Sequence, residues 1–118
     1  MKKIIGIITV LILFVLTILS CEKIELEKDV PDCIESKIRK IKNEEVQNPP
    51  TEVWEWKADG MIYYYISSEC CDQFNFLYDE NCNQVCAPDG GISGGGDGNC
   101  PTFNEQIEKT LIWRDDRG

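Results

Sequence analysis

The residues best equipped for chemistry in this 118-residue chain are its seven cysteines, at positions 21, 33, 70, 71, 82, 86 and 100. There is no histidine. That absence removes the Ser-His-Asp and Cys-His nucleophilic pairs, every His-ligated metal site and the usual proton shuttle near neutral pH. Redox work by the thiols alone would call for Cys-x-x-Cys at a helix start, and zinc for paired Cys-x-x-Cys knuckles. The spacings here are adjacent, four apart and distant, so neither pattern is present. Carboxylates are the other resource. Glu69, Asp72 and Asp79 lie near one another, but 21 acidic side chains against 12 basic ones make surface acids plentiful, and these form no constellation. The composition argues against an enzyme. A formal charge of −9 likewise argues against nucleic acid as a partner, because phosphate binding needs clustered Lys and Arg.

Cys21 differs from the other six in its setting. Met1-Lys2-Lys3 is a short basic start, and an apolar run from Ile4 to Leu19 carries no charge before Ser20-Cys21. This arrangement resembles a bacterial lipoprotein signal peptide. The resemblance implies that residues 1–20 are removed and that Cys21 becomes the first residue, carrying a diacylglyceryl thioether and acyl chains such as palmitate. The rival readings are a transmembrane anchor, for which 16 apolar residues are just short, and a plain cleaved secretory signal. Processing deletes Lys2 and Lys3, leaving 10 basic side chains against 21 acidic ones and a formal charge of −11. The charged stretch Glu22 to Asp29 reads as a solvated tether, and it loosely resembles the signal that directs Bacteroidota lipoproteins to the outward-facing leaflet. The organisation expected is therefore a signal over 1–20, a lipidated cysteine and tether over 21–31, and one small domain over 32–118. The address expected is the cell envelope, as an outer-membrane lipoprotein. Its partners would be the membrane, through the lipid, and an unidentified protein or envelope component.

Six cysteines then remain: Cys33, Cys70, Cys71, Cys82, Cys86 and Cys100. An even number in a small exported domain reads as a disulfide framework, with 15 pairings open to it. The need is physical. A domain of under about 90 residues buries only about 60–65% of its unfolded surface, and each bridge across a long loop adds about 2–4 kcal/mol.

The elements to be stapled follow from periodicity. Pro31-Asp32 opens a helix with Asp32 as N-cap and Glu35 completing a capping-box pair. Ile34, Ile38 and Ile41 recur on one face, basic residues gather at the far end, and Asn43 to Pro50 stops the helix, since Asn48-Pro49-Pro50 cannot continue one. Val53 to Ile66 is a hairpin about Asp59-Gly60, a type I′ signal that sets Ala58 opposite Met61 and Trp56 opposite Tyr63. Trp54, Trp56, Met61, Tyr63 and Tyr65 then share one face. That face could serve as a platform for sugar or lipid, but packing against the isoleucine stripe of the helix is the expected use. Phe74–Tyr78 and Gln84–Ala87 form a second hairpin about residues 79–83. A capping box over Thr102 to Glu105 starts a brief helix at 103–109, and Leu111-Ile112-Trp113 is a last strand. The fold class is α+β: one N-terminal helix on a small antiparallel sheet of two hairpins plus a C-terminal strand, disulfide-stapled.

Six of the nine glycines fall between Cys86 and Cys100. Such composition forms no regular element, yet a cysteine at each end argues for a fixed loop over a loose linker. A pre-organised loop binds at lower entropic cost, so segment 88–99 is the candidate interaction surface, with Asp89, Ile92, Asp97 and Asn99 as its residues. A protease inhibitor is one version of this, with Ile92 the sole bulky residue to offer. Calcium is a second reading, through Asp89, Asp97 and Asn99, although the spacing matches no EF-hand or glycine-aspartate repeat and Asp-Gly pairs are ordinary turn chemistry. No other cofactor is expected beyond the lipid on Cys21.

With these residues in view, the chain resembles a family of small Bacteroidota lipoproteins that share a domain of unknown function. The resemblance runs from Cys33 to Arg117. It rests on Cys33-Ile34, Asn48-Pro49-Pro50, Val53-Trp54-Glu55-Trp56, the Tyr-Tyr hairpin, Cys70-Cys71-Asp72-Gln73-Phe74-Asn75 and Leu77-Tyr78-Asp79. It continues through Ala87-Pro88-Asp89-Gly90-Gly91, Gly96-Asp97-Gly98 and Cys100-Pro101. The family has no assigned activity, so the resemblance implies an address and an architecture. It also implies that Cys82 stands where members often carry glycine in the turn, as an extra thiol.

Overall fold

Runs rich in aromatic and β-branched residues flank Asp59-Gly60, and that pair adopts the left-handed backbone a type I′ turn needs, with φ of 52° and 76°. The result is the hairpin of β1 (Glu52–Ala58) and β2 (Met61–Ile66), in the expected register: Ala58 faces Met61 and Trp56 faces Tyr63. The computed structural model describes residues 24–69 and 72–117. Around the hairpin it places helix α1 (Asp32–Lys42) and strands β3 (Phe74–Tyr78), β4 (Gln84–Gly90) and β5 (Glu108–Arg114). The sheet runs β4-β3-β2-β1-β5 with every neighbouring pair antiparallel, which makes the α+β fold expected. The signal segment 1–20, Cys21, Cys70 and Cys71 lie outside the described residues.

Helix α1 starts one residue earlier in its capping than the sequence implies. Pro31 is the N-cap, and its carbonyl accepts the amides of Ile34 and Glu35 at 3.0 and 3.1 Å. Asp32 is the first helical residue and makes no side-chain cap. Its charge still lies at the positive end of the helix dipole. Ile34 and Ile38 are fully buried, and Ile41 packs beside them.

The two faces of the sheet are divided differently from the expectation. Helix α1 packs on Val53, Tyr64, Ile112 and Trp113, flanked by Ile62, Ile66 and Tyr78. The aromatic face belongs to a second cluster of Trp56, Leu77 and Cys86, bordered by Trp54, Tyr63, Tyr65, Phe103 and Ile107. Both faces are apolar enough to need a cover, and the helix can cover only one. Segment 24–30 is not wholly solvated either. Ile24, Leu26 and Val30 pack against the helix-side core, and Glu27 donates its amide to the Ile112 carbonyl at 3.0 Å. Lys28 reaches 2.9 Å from the Glu55 carboxylate, which is only 3% exposed and has Lys57 at 3.8 Å as its second cation.

Among the described residues two disulfides fasten the covers. Cys33–Cys82 ties the start of α1 to the β3–β4 turn, and Cys86–Cys100 closes the glycine-rich loop. Closing 49 residues in the first case and 14 in the second is worth about 4 and about 3 kcal/mol. Strand β4 runs on through Ala87-Pro88-Asp89-Gly90, beyond the expected end at Ala87. Proline is tolerated there because β4 is an edge strand. The helix expected at 103–109 does not form. Phe103 and Ile107 lie on the aromatic face, Asn104 donates its amide to Asp59 at 2.9 Å, and β5 begins at Glu108 against β1. Tertiary pairing overrides the local capping signal.

At the chain's far end Arg117 closes the helix side. Its guanidinium donates to the carbonyls of Ile41, Lys42 and Glu44, at and just beyond the end of α1, and pairs with the buried Asp115 at 2.7 Å. That contact holds the Asp115 carboxyl below its usual range, against the opposing pull of burial. A carboxyl so depressed contributes stability above its unfolded pKa and loses it as pH falls through the folded value. Arg117→Ala should destabilise the domain near neutrality, because it leaves the buried Asp115 carboxylate unpaired. In urea titrations its deficit against wild type should shrink below about pH 4; a deficit constant with pH would contradict this account.

Cys82 has φ of 62°, in the left-handed region where glycine is at ease and other residues are strained. With the bridge removed by Cys33→Ala, Cys82→Gly should leave the domain about 1 kcal/mol more stable than Cys82→Ala. Equal denaturation midpoints for the two double variants would show that the turn carries no such cost.

Candidate functional site

The glycine-rich segment is built as a folded-back loop. After β4, Gly91 donates its amide to the Gln73 carbonyl at 2.9 Å, and Gly94 donates to Gly91 at 3.1 Å. The chain then returns along its own path, with the amides of Gly96 and Asp97 bonding the carbonyls of Gly90 and Ala87. Gly96 sits so close to the Ala87 carbonyl that a Cβ there would collide with it, and its φ of 79° also demands glycine. Asp97 accepts the amide of Asn99 at 2.9 Å, closing an Asx turn just before Cys100. These bonds lower the Asp97 carboxyl's pKa. At the tip stands Ile92, 93% exposed.

The expected loop residues therefore separate. Ile92 is presented to solvent, whereas Asp97 and Asn99 are spent on the turn. Asp89 is not on the loop at all. It is the penultimate residue of β4 and points across the sheet, where it accepts the Tyr65 hydroxyl at 2.9 and 3.1 Å and the Asn75 amide at 2.7 Å. Asn75 in turn accepts from the amide and hydroxyl of Ser68. Burial first, and Asp89 second, push the Tyr65 hydroxyl well above its usual pKa, so it stays a neutral donor. Among the described residues no three His, Cys, Asp or Glu side chains gather to hold a metal ion. Asp79 serves its own turn, accepting from Asn81 and Asn83, and those bonds lower its pKa.

Beside Asp89 the aromatic face opens. Trp54, Trp56, Tyr65, Asp89 and Lys109 line a groove of about 230 Å³. Trp56 and Tyr65 stack with centroids 5.3 Å apart and planes 8° apart, and the Lys109 ammonium lies 4.2 Å over the other part of the stack, on the Trp56 ring. Tyr63 meets Phe103 edge-to-face at 5.8 Å, so the 101–107 segment covers that end of the face and leaves the Trp54 end open. The alternation of β1 and β2 was enough to group the aromatic residues. Nothing local showed that Asp89 from β4 and Lys109 from β5 would join them. A larger cleft of about 470 Å³ runs beside β5, but its inner carboxylate, Asp115, is engaged by Arg117.

Residues 39–115 match a protein family described as a domain of unknown function (DUF6970). The chain belongs to that family. The DUF6970 segment begins inside α1, after Cys33, and contains the whole sheet, the glycine-rich loop and the groove. No curated protein and no solved structure matches the chain.

Proposed function

We propose that this DUF6970 protein is a lipid-anchored binding module of the bacterial cell envelope, of the small Bacteroidota lipoprotein kind. It is held to the membrane through Cys21 and presents the 88–99 loop to a protein partner. The observation that carries the reading is Ile92. Leaving one isoleucine in water forgoes about 1.5–3 kcal/mol of burial, and here the side chain is held out by a loop fixed with a disulfide and a set of backbone bonds. A partner gains that burial without ordering the loop first. The basic start, the uncharged run to Leu19 and the position of Cys21 support the anchor. Only Glu22 and Lys23 separate Cys21 from Ile24, which already packs on the core, so the domain would stand within about 10 Å of chain from its lipid.

The anchor is tested by the intact mass of protein extracted from membranes. A chain beginning at Cys21 with a diacylglyceryl adduct is expected, and Cys21→Ser should yield an unlipidated chain; an uncleaved wild-type chain would refute the anchor. The loop is tested in cells by a photo-crosslinking residue at position 92, with position 40 on the exposed side of α1 as control. One discrete adduct from position 92 and none from position 40 is expected. Identical patterns from both positions would remove the loop as the interaction surface.

A further inference from the structure

The groove on the aromatic face has a different chemistry from the loop tip, and it stands independently of the loop reading because none of its lining residues lies on the loop beyond β4. We infer that this groove binds carbohydrate: one uncharged sugar ring of a longer glycan. Its lining names the ligand by elimination. An apolar ligand would strip water from the Asp89 carboxylate and the Lys109 ammonium with nothing in return. A cation would meet Lys109, whose ammonium already lies over Trp56, and an anion would meet Asp89 on a chain of formal charge −9. A sugar ring suits the lining that stays open: the Trp54 surface, the Asp89 carboxylate and the Lys109 ammonium. Its C–H face lies against aromatic surface, its hydroxyls donate to a carboxylate, and its oxygens accept from an ammonium.

The groove is also ready for such a ligand. Tyr65 and Asn75 fix Asp89 from one side, and three hydrogen bonds leave acceptor capacity on a carboxylate that can take about four. Stacking on Tyr65 fixes Trp56, which is 6% exposed, while Trp54 keeps more of its surface open to the groove. At about 230 Å³ the space is smaller than the roughly 300–1,000 Å³ of sites for drug-sized ligands. One ring fits that space, and the open sides of the groove let a chain of sugars continue past it. Trp54, left half-buried on a face that the loop only partly covers, is then explained by what binds there.

The full chain, purified in a polyoxyethylene detergent because glucoside and maltoside detergents would compete, is applied to an array of glucose-, galactose-, mannose- and N-acetylglucosamine-based oligosaccharides together with uronate and sulfated glycans. The best binder is then titrated by tryptophan fluorescence. Binding to at least one uncharged oligosaccharide is expected. Trp54→Ala should weaken it at least tenfold, and Lys109→Met, an exposed change that leaves the core intact, several-fold. Ile92→Asp should leave the affinity unchanged, which separates this site from the loop. The inference is overturned if no uncharged glycan binds, if only acidic glycans do, or if binding survives both Trp54→Ala and Lys109→Met.

Discussion

Side chains alternate between the two faces of a strand, and in this chain both faces of the central hairpin are apolar. Val53, Ile62, Tyr64 and Ile66 point one way; Trp54, Trp56, Tyr63 and Tyr65 point the other. A five-stranded sheet with two such faces must be covered twice, and an 11-residue helix covers one side only. Everything else in the fold answers that requirement. The helix takes the Val53 face with help from segment 24–30, and the chain from Gly91 to Ile107 takes what it can of the other. Neither cover is large enough to hold itself down by burial alone, and each is fastened by one disulfide.

The two covers differ in kind, and that difference creates the surfaces available for binding. The helix side is continuous: Arg117 locks the end of α1, Lys28 neutralises the buried Glu55, and the isoleucines fill the space between. The loop side is made of turns whose backbone bonds are satisfied internally, with few side chains to spread over the sheet. Phe103 and Ile107 reach the Tyr63 end and no further. What remains is a groove with aromatic walls and a carboxylate fixed at its edge. The same economy leaves Ile92 in solvent, since the folded-back loop is too tightly closed to turn its tip inward.

The parts legible in the sequence were the local ones. Asp59-Gly60 between two strand-forming runs dictates a register residue by residue, and the isoleucine spacing of α1 dictates its buried stripe. The choice of face was not local. Both faces of the hairpin read as buried, so nothing in residues 52–66 tells which one the helix will meet. Segment 24–30 carries a readable signal, because Ile24 and Leu26 alternate with Glu25 and Glu27, but its charge density is equally that of a solvated tether. The misplaced helix at 103–109 has the opposite cause. Its capping residues are genuine by type, yet the following residues gain a full ladder against β1 by staying extended. The groove was half legible. Its aromatic residues fall on one face by parity, whereas Asp89 and Lys109 arrive from strands on opposite sides of the hairpin, which only the strand order can reveal.

The family match divides the chain along the same line as the physics. The matched segment holds the sheet, the second cover and the groove, while Cys33 and Arg117, which fasten the two ends of the helix, lie just outside it. Position 82 shows why that division is workable. Its left-handed backbone lies within the β3–β4 turn, where Asp79 accepts from Asn81 and Asn83 independently of the bridge sulfurs. The disulfide to Cys33 is thus an attachment made at a site the turn had already shaped. Helix fastening and loop geometry are separable, and a change in how the helix is held need not disturb the groove on the far side of the sheet.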